Sequence, residues 1–551
     1  MALSVSNEKA RERPGLEAGI GATARPPLEI VLLVEGLDAI TPWQWRLLAR
    51  LAADDRFALV GRINAKAPAQ ARSLSWIAAT ILAADSRFLA RTKEFDVLPI
   101  RSRIEKLPIL SAPDRSCGRA QCDVVLRLGG TQLDCDDLSV ARIGECSLSF
   151  CDSRDPSADW TAFAEVLRGE PTITVDVCAR STGTPQRTVV STADYNPKIS
   201  SARTAAFIHE KSVILLQRTL VRIAETRCFG NSGAALPAPP AAPSPSPRAA
   251  LAYGVRLCGK LGARATERLS DRIRQTAPHW ELRFGVGEIA SLNPACSATV
   301  TRTETNMADP FLFEHNGRLY VFYEADDGDG GPAWISVGLF ENGGFRRLGI
   351  ALKLDHHLSY PYMFRHRGSI FMMPESQQRK RLEIWRSTDF PFGWELHAVA
   401  LEGMLAADTN YFDADGTRWL MTNLSDHHTF QEHSSELYLF EVDGPDLRRV
   451  EPHRCNPVVI GSSVARNAGP VVAAGGRLYR PSQINAFATY GYGLNINVIE
   501  RLDRRDYREK AVRSITPDFA ASVDGVHHVS FGAGHFVIDV RRRSPGVPPA
   551  H

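Results

Sequence analysis

Five stretches in the second half of this 551-residue chain read alike, and a fivefold internal repeat admits very few folds. They are residues 309–324 (DPFLFEHNGRLYVFYE), 360–375 (YPYMFRHRGSIFMMPE), 408–423 (DTNYFDADGTRWLMTN), 469–483 (GPVVAAGGRLYRPSQ) and 527–541 (HHVSFGAGHFVIDVR). Each joins an apolar strand to a returning aromatic or aliphatic strand. The turn between them is polar and ends in Gly317, Gly368, Gly416, Gly476 or Gly534, the chemistry of a β-hairpin. That Gly lies eight, eight, eight, seven and seven positions after the first residue of the repeat, and successive repeats start 51, 48, 61 and 58 residues apart. Strand-like runs at 334–340, 382–386 and 436–441 fill the gaps, giving about four strands per period. Radial closure is the economical way to remove the exposed edges of five small sheets. A five-bladed β-propeller with a leading helix is therefore expected over residues 250–543, whereas two packed sandwiches would leave the fivefold repeat unexplained. The strand pattern at 279–289 is placed to complete the last blade and fasten the ring.

The first half has a different texture. Apolar runs at 29–34, 57–63, 97–100, 123–128, 146–150 and 172–177 alternate with helical patterns at 43–53 and 159–168, and a long amphipathic stretch, 202–226, closes the half. This alternation predicts an α/β, Rossmann-like domain over residues 29–229 with a mainly parallel sheet. Residues 230–249 (GNSGAALPAPPAAPSPSPRA) read as a semi-extended linker, and 1–28 and 544–551 as a disordered arm and tail. A 44% hydrophobic content excludes a chain disordered throughout, and the net charge of +3 provides no general field for nucleic acid. The longest apolar runs fall far short of the roughly 20 residues of a spanning helix, and the N-terminus lacks the apolar core of a signal peptide. No membrane span, no nucleic-acid partner and a cytoplasmic location are the expectation. The ten cysteines show neither a CxxC pair nor a Cys/His ligand spacing, so they are expected as reduced thiols.

Strands of a hairpin are antiparallel, so the start of the first and the end of the second share one edge of the blade. If the first strand is innermost, these ends collect at one mouth of the central channel. They are Asp309 with Glu324, Tyr360 with Glu375, Asp408 with Asn423, Gly469 with Gln483, and His527 with Arg541, with Arg466 and Arg480 nearby and His528 beside His527. Carboxyl pairs across a cavity suit glycosidic bond cleavage, where one protonates the leaving oxygen and the other activates water or attacks the sugar. Tyr360, Tyr490, Tyr492 and Trp334 are candidates for stacking on a sugar face, or for blade packing.

The segment Ala308-Asp309-Pro310-Phe311 followed by Gly317-Arg318-Leu319-Tyr320 resembles the first blade of the five-bladed propeller glycosidases, the arabinanase, xylosidase and invertase group. Residues 305–543 are similar to the propeller domain that precedes the transferase domain in plant glucosamine inositolphosphorylceramide transferases. The similarity rests on Leu358-Ser359-Tyr360-Pro361, Pro374-Glu375-Ser376, Ala407-Asp408, Asn456-Pro457-Val458, 478–483 (LYRPSQ) and 490–495 (YGYGLN). The resemblance implies a carbohydrate-related role, with Asp309 as base; repeat position extends it to Asp408 as charge partner and Glu375 as acid. Expected ligands are a glycan or nucleotide sugar at a surface formed by Glu324, Tyr360, Asn423, Arg466, Arg480, Gln483, Tyr492, His527 and His528. A non-catalytic glycan-binding module is the alternative.

The first half resembles the N-terminal domain of folate-dependent formyltransferases in the strand Asp123-Val124-Val125-Leu126, in Ile143-Gly144, and in a helix ending at 166–171 (VLRGEP). Those enzymes place Asn-x-His on the strand after that Gly and an Asp further on. Here Ser147-Leu148-Ser149 occupies the first position and 180–183 (RSTG) carries no Asp, so formyl transfer and folate binding are not expected. Asp152, Asp155 and His209 are the remaining candidates for a relocated set. Gly129-Gly130, the pairs His356-His357 and His427-His428, and the loop 326–329 (DDGD) are weak anion or metal signals, and no resident cofactor or metal is expected.

Overall fold

The turn chemistry of the repeats dictates the hairpins. At their tips Asn316-Gly317, Arg367-Gly368, Asp415-Gly416, Gly475-Gly476 and Ala533-Gly534 all have positive φ at both positions, the type I′ geometry whose twist matches that of paired strands. The computed structural model describes residues 25–65, 74–90, 96–110, 120–133, 137–150, 160–230, 235–236, 244–274, 278–328, 330–425, 430 and 432–542. Asp152, Asp155, His427, His428 and Asp329 lie outside the described residues.

Five small antiparallel sheets follow one another and form the propeller. Blade 1 comprises Asn306–His315, Arg318–Asp326, Trp334–Glu341 and Gly344–Leu352, and blade 2 comprises Ser359–His366, Ser369–Glu375, Leu382–Asp389 and Gly393–Ala400. Blade 3 contains Leu405–Ala414, Thr417–Ser425, Glu436–Val442 and Val450–Pro452, with Val459–Ile460 also on its third strand. Blade 4 contains Val472–Ala474, Arg477–Ala486, Thr489–Leu502 and Tyr507–Ile515. In blade 5 the last strands of the chain, Val523–Gly525, Val529–Gly532 and His535–Arg542, meet the first strands of this half, His279–Val286 and Ala298–Thr299. His535–Arg542 pairs antiparallel with His279–Val286 over eight consecutive residues, from His535 opposite Val286 to Arg542 opposite His279. The ring is thus closed by a sheet made of both ends of its own sequence.

Neighbouring blades are stitched together. The Leu312 amide donates to Ser530 Oγ (3.0 Å), linking blades 1 and 5, and Asn410 Nδ2 donates to the Gly469 carbonyl (3.1 Å), linking blades 3 and 4. Blade-to-blade contact leaves no room for a side chain at Gly469. A Cβ there would lie 1.9 Å from the Val529 carbonyl oxygen.

The first half is a seven-stranded sheet in the order Phe57–Asn64, Leu28–Val34, Cys122–Arg127, Ala141–Phe150, Ile173–Ser181, Arg187–Tyr195, Ala235–Leu236. The first three pairings are parallel and the last three antiparallel, so the expected mainly parallel sheet is only half so. A second departure is local. Residues 97–100, expected as a strand, open the helix Leu98–Glu105. Pro99 lacks the N–H a strand would need but suits a first helical turn, and Ile100 and Ile104 bury one face four residues apart. Within the expected linker, Ala235–Leu236 pairs with Arg187–Tyr195 and the helix Pro247–Arg274 begins, so that segment is partly structured.

The halves are packed together. Lys211 Nζ lies 2.8 Å from Glu436 Oε2 with both side chains buried, the Ser462 amide donates to Asp194 O (2.7 Å), and the Ala488 amide donates to Asn196 Oδ1 (2.9 Å). Two glycine substitutions compare a clash added to a left-handed backbone, at Gly469 with φ 136°, with the left-handed backbone alone, at Gly416. Gly469→Ala should destabilise by at least ~3 kcal/mol, whereas Gly416→Ala, with φ 75° and open space around it, should cost only ~1–2 kcal/mol, as read from thermal unfolding.

Candidate functional site

Asp309, Tyr360 and Asp408, the first residues of three successive repeats, share an unusual backbone. Their φ values are 47°, 46° and 48°, left-handed conformations that cost a non-glycine residue roughly 1–2 kcal/mol. At each, two residues of the inner strand oppose one on its neighbour, a β-bulge between Ala308 and Phe311, Ser359 and Tyr362, and Ala407 and Asn410. Each bulge amide is held by a carboxylate. The Asp309 amide donates to Asp539 Oδ2 (2.9 Å), that of Tyr360 to Asp309 Oδ2 (3.2 Å), and that of Asp408 to Glu375 Oε2 (3.3 Å).

Around these bulges lies a buried charge cluster. Asp539, fully buried, also accepts the amides of His527 (3.2 Å) and His528 (2.9 Å) and lies 2.8 Å from His527 Nδ1. Asp309 Oδ1 is 3.5 Å from both His527 Nε2 and His528 Nδ1. Arg466 Nε donates to Asp408 Oδ2 (2.6 Å), and its Nη2 is 3.9 Å from Glu375 Oε2. Glu324 meets His357 Nε2 at 3.2 Å. The ring of Tyr490 covers the Arg466 guanidinium (5.0 Å) and meets His527 edge-on (5.4 Å), while Trp280 lies 4.0 Å from His527 on its own account.

This environment drives the carboxyl groups apart. Burial alone would raise Asp309, but its hydrogen bond with His528 and the positive charge of His527 and Arg466 hold it well below the usual carboxylate range. Burial, then the charge of Asp408, push Glu375 well above that range, against the pull of Arg466. Burial and then Asp309 push Glu324 up to about 7, against the pull of His357. Burial also raises Asp408 despite its ion pair with Arg466. His527 goes up to about 9, because Asp539 and Asp309 outweigh the burial that opposes its charge. Asp309, His527 and Asp539 offer ligand atoms within 4.8 Å of one another. Asp539 already receives three backbone amides, and His527 lies between the two carboxylates, with Nδ1 2.8 Å from Asp539 and Nε2 3.5 Å from Asp309.

The structure brings together Asp309, Glu324, Tyr360, Glu375, Asp408, Arg466, His527 and His528. Gln483 joins them through Tyr490, to whose hydroxyl its Nε2 donates (3.4 Å). Five other sequence candidates are placed elsewhere. Arg480 is fully buried between Glu509 (2.8 Å), Asn467 Oδ1 (3.1 Å) and the Val464 carbonyl (2.7 Å), so it fastens a blade and offers no charge to a ligand. Asn423 spends its amide on the Glu436 and Ala465 carbonyls and accepts the Asn467 amide. Tyr492 packs on Phe487 (5.0 Å), and Tyr490 is the ring that reaches the cluster. Trp334 lies in the core of blade 1, and Arg541 pairs with Asp524 (2.7 Å). Asp539 and Trp280 were not among the candidates, and His357 was singled out only within the pair His356-His357 as a weak metal signal. Asp539 had a signal, since it interrupts the otherwise apolar run 536–540 (FVIDV) of a buried strand.

Residues 288–544 match the family model described as the N-terminal part of glucosamine inositolphosphorylceramide transferase 1. Glucosamine inositolphosphorylceramide transferase 1 of Oryza sativa subsp. japonica is 34% identical over 213 residues, covering 37% of this chain and 28% of that protein. That of Arabidopsis thaliana is 35% identical over 214 residues, covering 37% and 27%. The chain thus spans little more than a quarter of the length of these relatives. Among solved structures, an exo-β-1,3-galactanase of Phanerochaete chrysosporium overlaps 48% of this chain and 66% of its own at 12% identity and a TM-score of 0.33. At that score the propeller assignment rests on the five sheets themselves.

In the first half, the position expected for Asn-x-His is filled by a buried ionic network. Arg127 Nε and Arg180 Nη2 each lie 3.0 Å from the Glu145 carboxylate, and Arg127 Nη2 donates to Ser147 Oγ (3.0 Å). His209 stacks on Trp43 (5.3 Å) and meets Phe150 edge-on (4.9 Å), and burial lowers it to about 4, so it is a neutral core residue. Gly129 is closed off by the Glu35 carboxyl, 3.0 Å from where its Cβ would be.

The raised His527 value sets a pH dependence. A group whose folded-state value, about 9, exceeds the ordinary 6.5 stabilises fully below about pH 6.5, and that stabilisation is lost as pH rises through about 9. Thermal melts of the wild type should therefore decline between pH 7 and 10 more steeply than those of His527→Gln. Parallel declines would show that His527 is not the titrating group.

Proposed function

We propose that this protein acts on a glycan at the propeller mouth by general acid–base catalysis. Asp309 is the base, Glu375 the acid, raised by burial and the charge of Asp408, and Arg466, ion-paired with Asp408, orients the substrate. The observation that carries this reading is the opposite displacement of two buried carboxyl groups on adjacent blades, Asp309 down and Glu375 up, the division of labour that proton transfer to and from a glycosidic oxygen requires. The similarity of residues 288–544 to a part of proteins named as glycolipid transferases supports a carbohydrate substrate, through hydrolysis or glycosyl transfer. Tyr490, with 41% of its surface exposed, provides an aromatic face for a sugar ring. The first half is read as a formyltransferase-like scaffold whose formyl-transfer groups have given way to the Arg127–Glu145–Arg180 network, with no folate site.

One observation favours a second reading, a binding module without turnover. Asp309 already receives the Tyr360 amide and faces two imidazoles, as a structural carboxylate would. The two readings diverge in one experiment. The full chain is incubated with a panel of aryl glycosides and oligosaccharides, and released sugar is followed by mass spectrometry. An enzyme should lose at least about a hundredfold in rate with Asp309→Asn and with Glu375→Gln, while binding persists. Rates unaffected by both variants would remove the pair from the mechanism, and binding without turnover in the wild type would leave the module.

A further inference from the structure

The two halves of the chain meet beside the propeller mouth, and the seam forms an open cavity of about 390 Å³ that shares Arg466 and Tyr490 with the acid–base site and extends from it onto the first half. Three separate pieces of chain build it. The turn at 196–199 and Arg203 come from the first half, Arg264 comes from the helix Pro247–Arg274, and Glu432, His433, Arg466 and Tyr490 come from the propeller. Four cationic side chains, Lys198, Arg203, Arg264 and Arg466, line it against one carboxylate, Glu432. Lys198 is paired with Glu432 and Arg466 with Asp408. Arg203 and Arg264 have no carboxylate within ion-pair distance among the described residues, although the whole chain carries a net charge of only +3.

The backbone is not what awaits an anion here. At the start of the helix Ser201–Thr226 the amides of Ser201, Ala202 and Arg203 already donate to Tyr253 Oη (2.7 Å), Asp85 Oδ2 (3.0 Å) and Ser200 Oγ (3.2 Å). Among the described residues the unmatched charge therefore resides in two guanidinium groups, from sequence positions 61 residues apart, that fold onto one cavity. Guanidinium is the side chain whose planar fork matches an oxyanion with two parallel hydrogen bonds. Two such groups match the charge of a phosphate monoester more closely than the single charge of a carboxylate. The volume suits a small ligand, and the exposed Tyr490 ring forms the wall where the cavity meets Arg466 and the rim.

We infer that this seam is a binding site for a phosphorylated saccharide, with the phosphate on Arg203, Arg264 and Lys198 and the sugar against Tyr490 toward Arg466. The sugar part rests on the glycan reading above; the anion part does not. On this assignment the first half supplies part of the ligand site, which explains why it is packed onto the propeller mouth.

The test is calorimetric titration of the full chain, at 50 and 200 mM KCl, with glucose 1-phosphate, glucuronic acid, glucose and inorganic phosphate. Arg203→Gln and Arg264→Gln are measured alongside, and both positions are solvent-exposed, so the variants should fold. Glucose 1-phosphate should bind more tightly than glucuronic acid, weaken with salt, and lose about tenfold in affinity in each variant. Inorganic phosphate bound in an arginine-dependent way with no preference for the sugar ester would keep the anion site and remove the glycan. Glucose bound equally by wild type and variants would keep the glycan reading and overturn the phosphate site. A preference for glucuronic acid would overturn the phosphate assignment, and no binding of any probe would overturn the whole inference.

Discussion

The carboxylate of Asp539 holds this structure's centre together. It accepts three backbone amides, those of Asp309, His527 and His528, from the first and last blades of a ring whose ends are more than 200 residues apart in sequence. A buried carboxylate that lacked such donors would be strongly unfavourable, so closure of the ring and satisfaction of Asp539 require one another. The strand that carries it, His535–Arg542, completes the closure by pairing with His279–Val286. Sheet pairing and ion satisfaction therefore converge on one seam, and that seam is also the edge of the charge cluster.

The cluster and the scaffold use the same atoms. Asp309 receives the bulge amide of Tyr360 and, through its own amide, hangs from Asp539; Glu375 receives the bulge amide of Asp408. The left-handed bulges that aim these residues would relax if those carboxylates did not hold the amides. Strain, burial and proton affinity are thus aspects of one arrangement. Crowding carboxyls on neighbouring blades around few cations holds Asp309, flanked by two imidazoles and the charge of Arg466, low, and pushes Glu375 and Glu324 up. The same geometry that satisfies the backbone sets up groups of unlike acidity.

The hairpins were legible because type I′ turns and alternating strands are local chemistry, repeated five times. The first residues of the repeats were legible as a rim, and eight of the candidates do meet there, because hairpin geometry alone puts them on one edge. Asn423 satisfied the same spacing rule and yet serves elsewhere, as do Arg480, named for its nearness to the rim, and Tyr492, named for its ring. Spacing says which end of a strand a side chain occupies, and cannot say whether Glu509 or the Ala465 carbonyl will claim it. In the first half, residues 97–100 looked like a strand by apolarity, and Pro99 with the spacing of Ile100 and Ile104 made them a helix.

Sequence by itself determined the five hairpins, the ring they imply, the separate α/β half and the carboxylates at the start of the repeats, since each follows from residues close together in the chain. Tertiary structure alone decided which of those groups face one another, which are ionised, and that the first half lies against the mouth with Arg203 and Arg264 on a common cavity. Those outcomes depend on distances between residues from different blades and different halves, and on the loss of water around them. No local pattern encodes either quantity, because both exist only once the ring has closed and the two halves have packed.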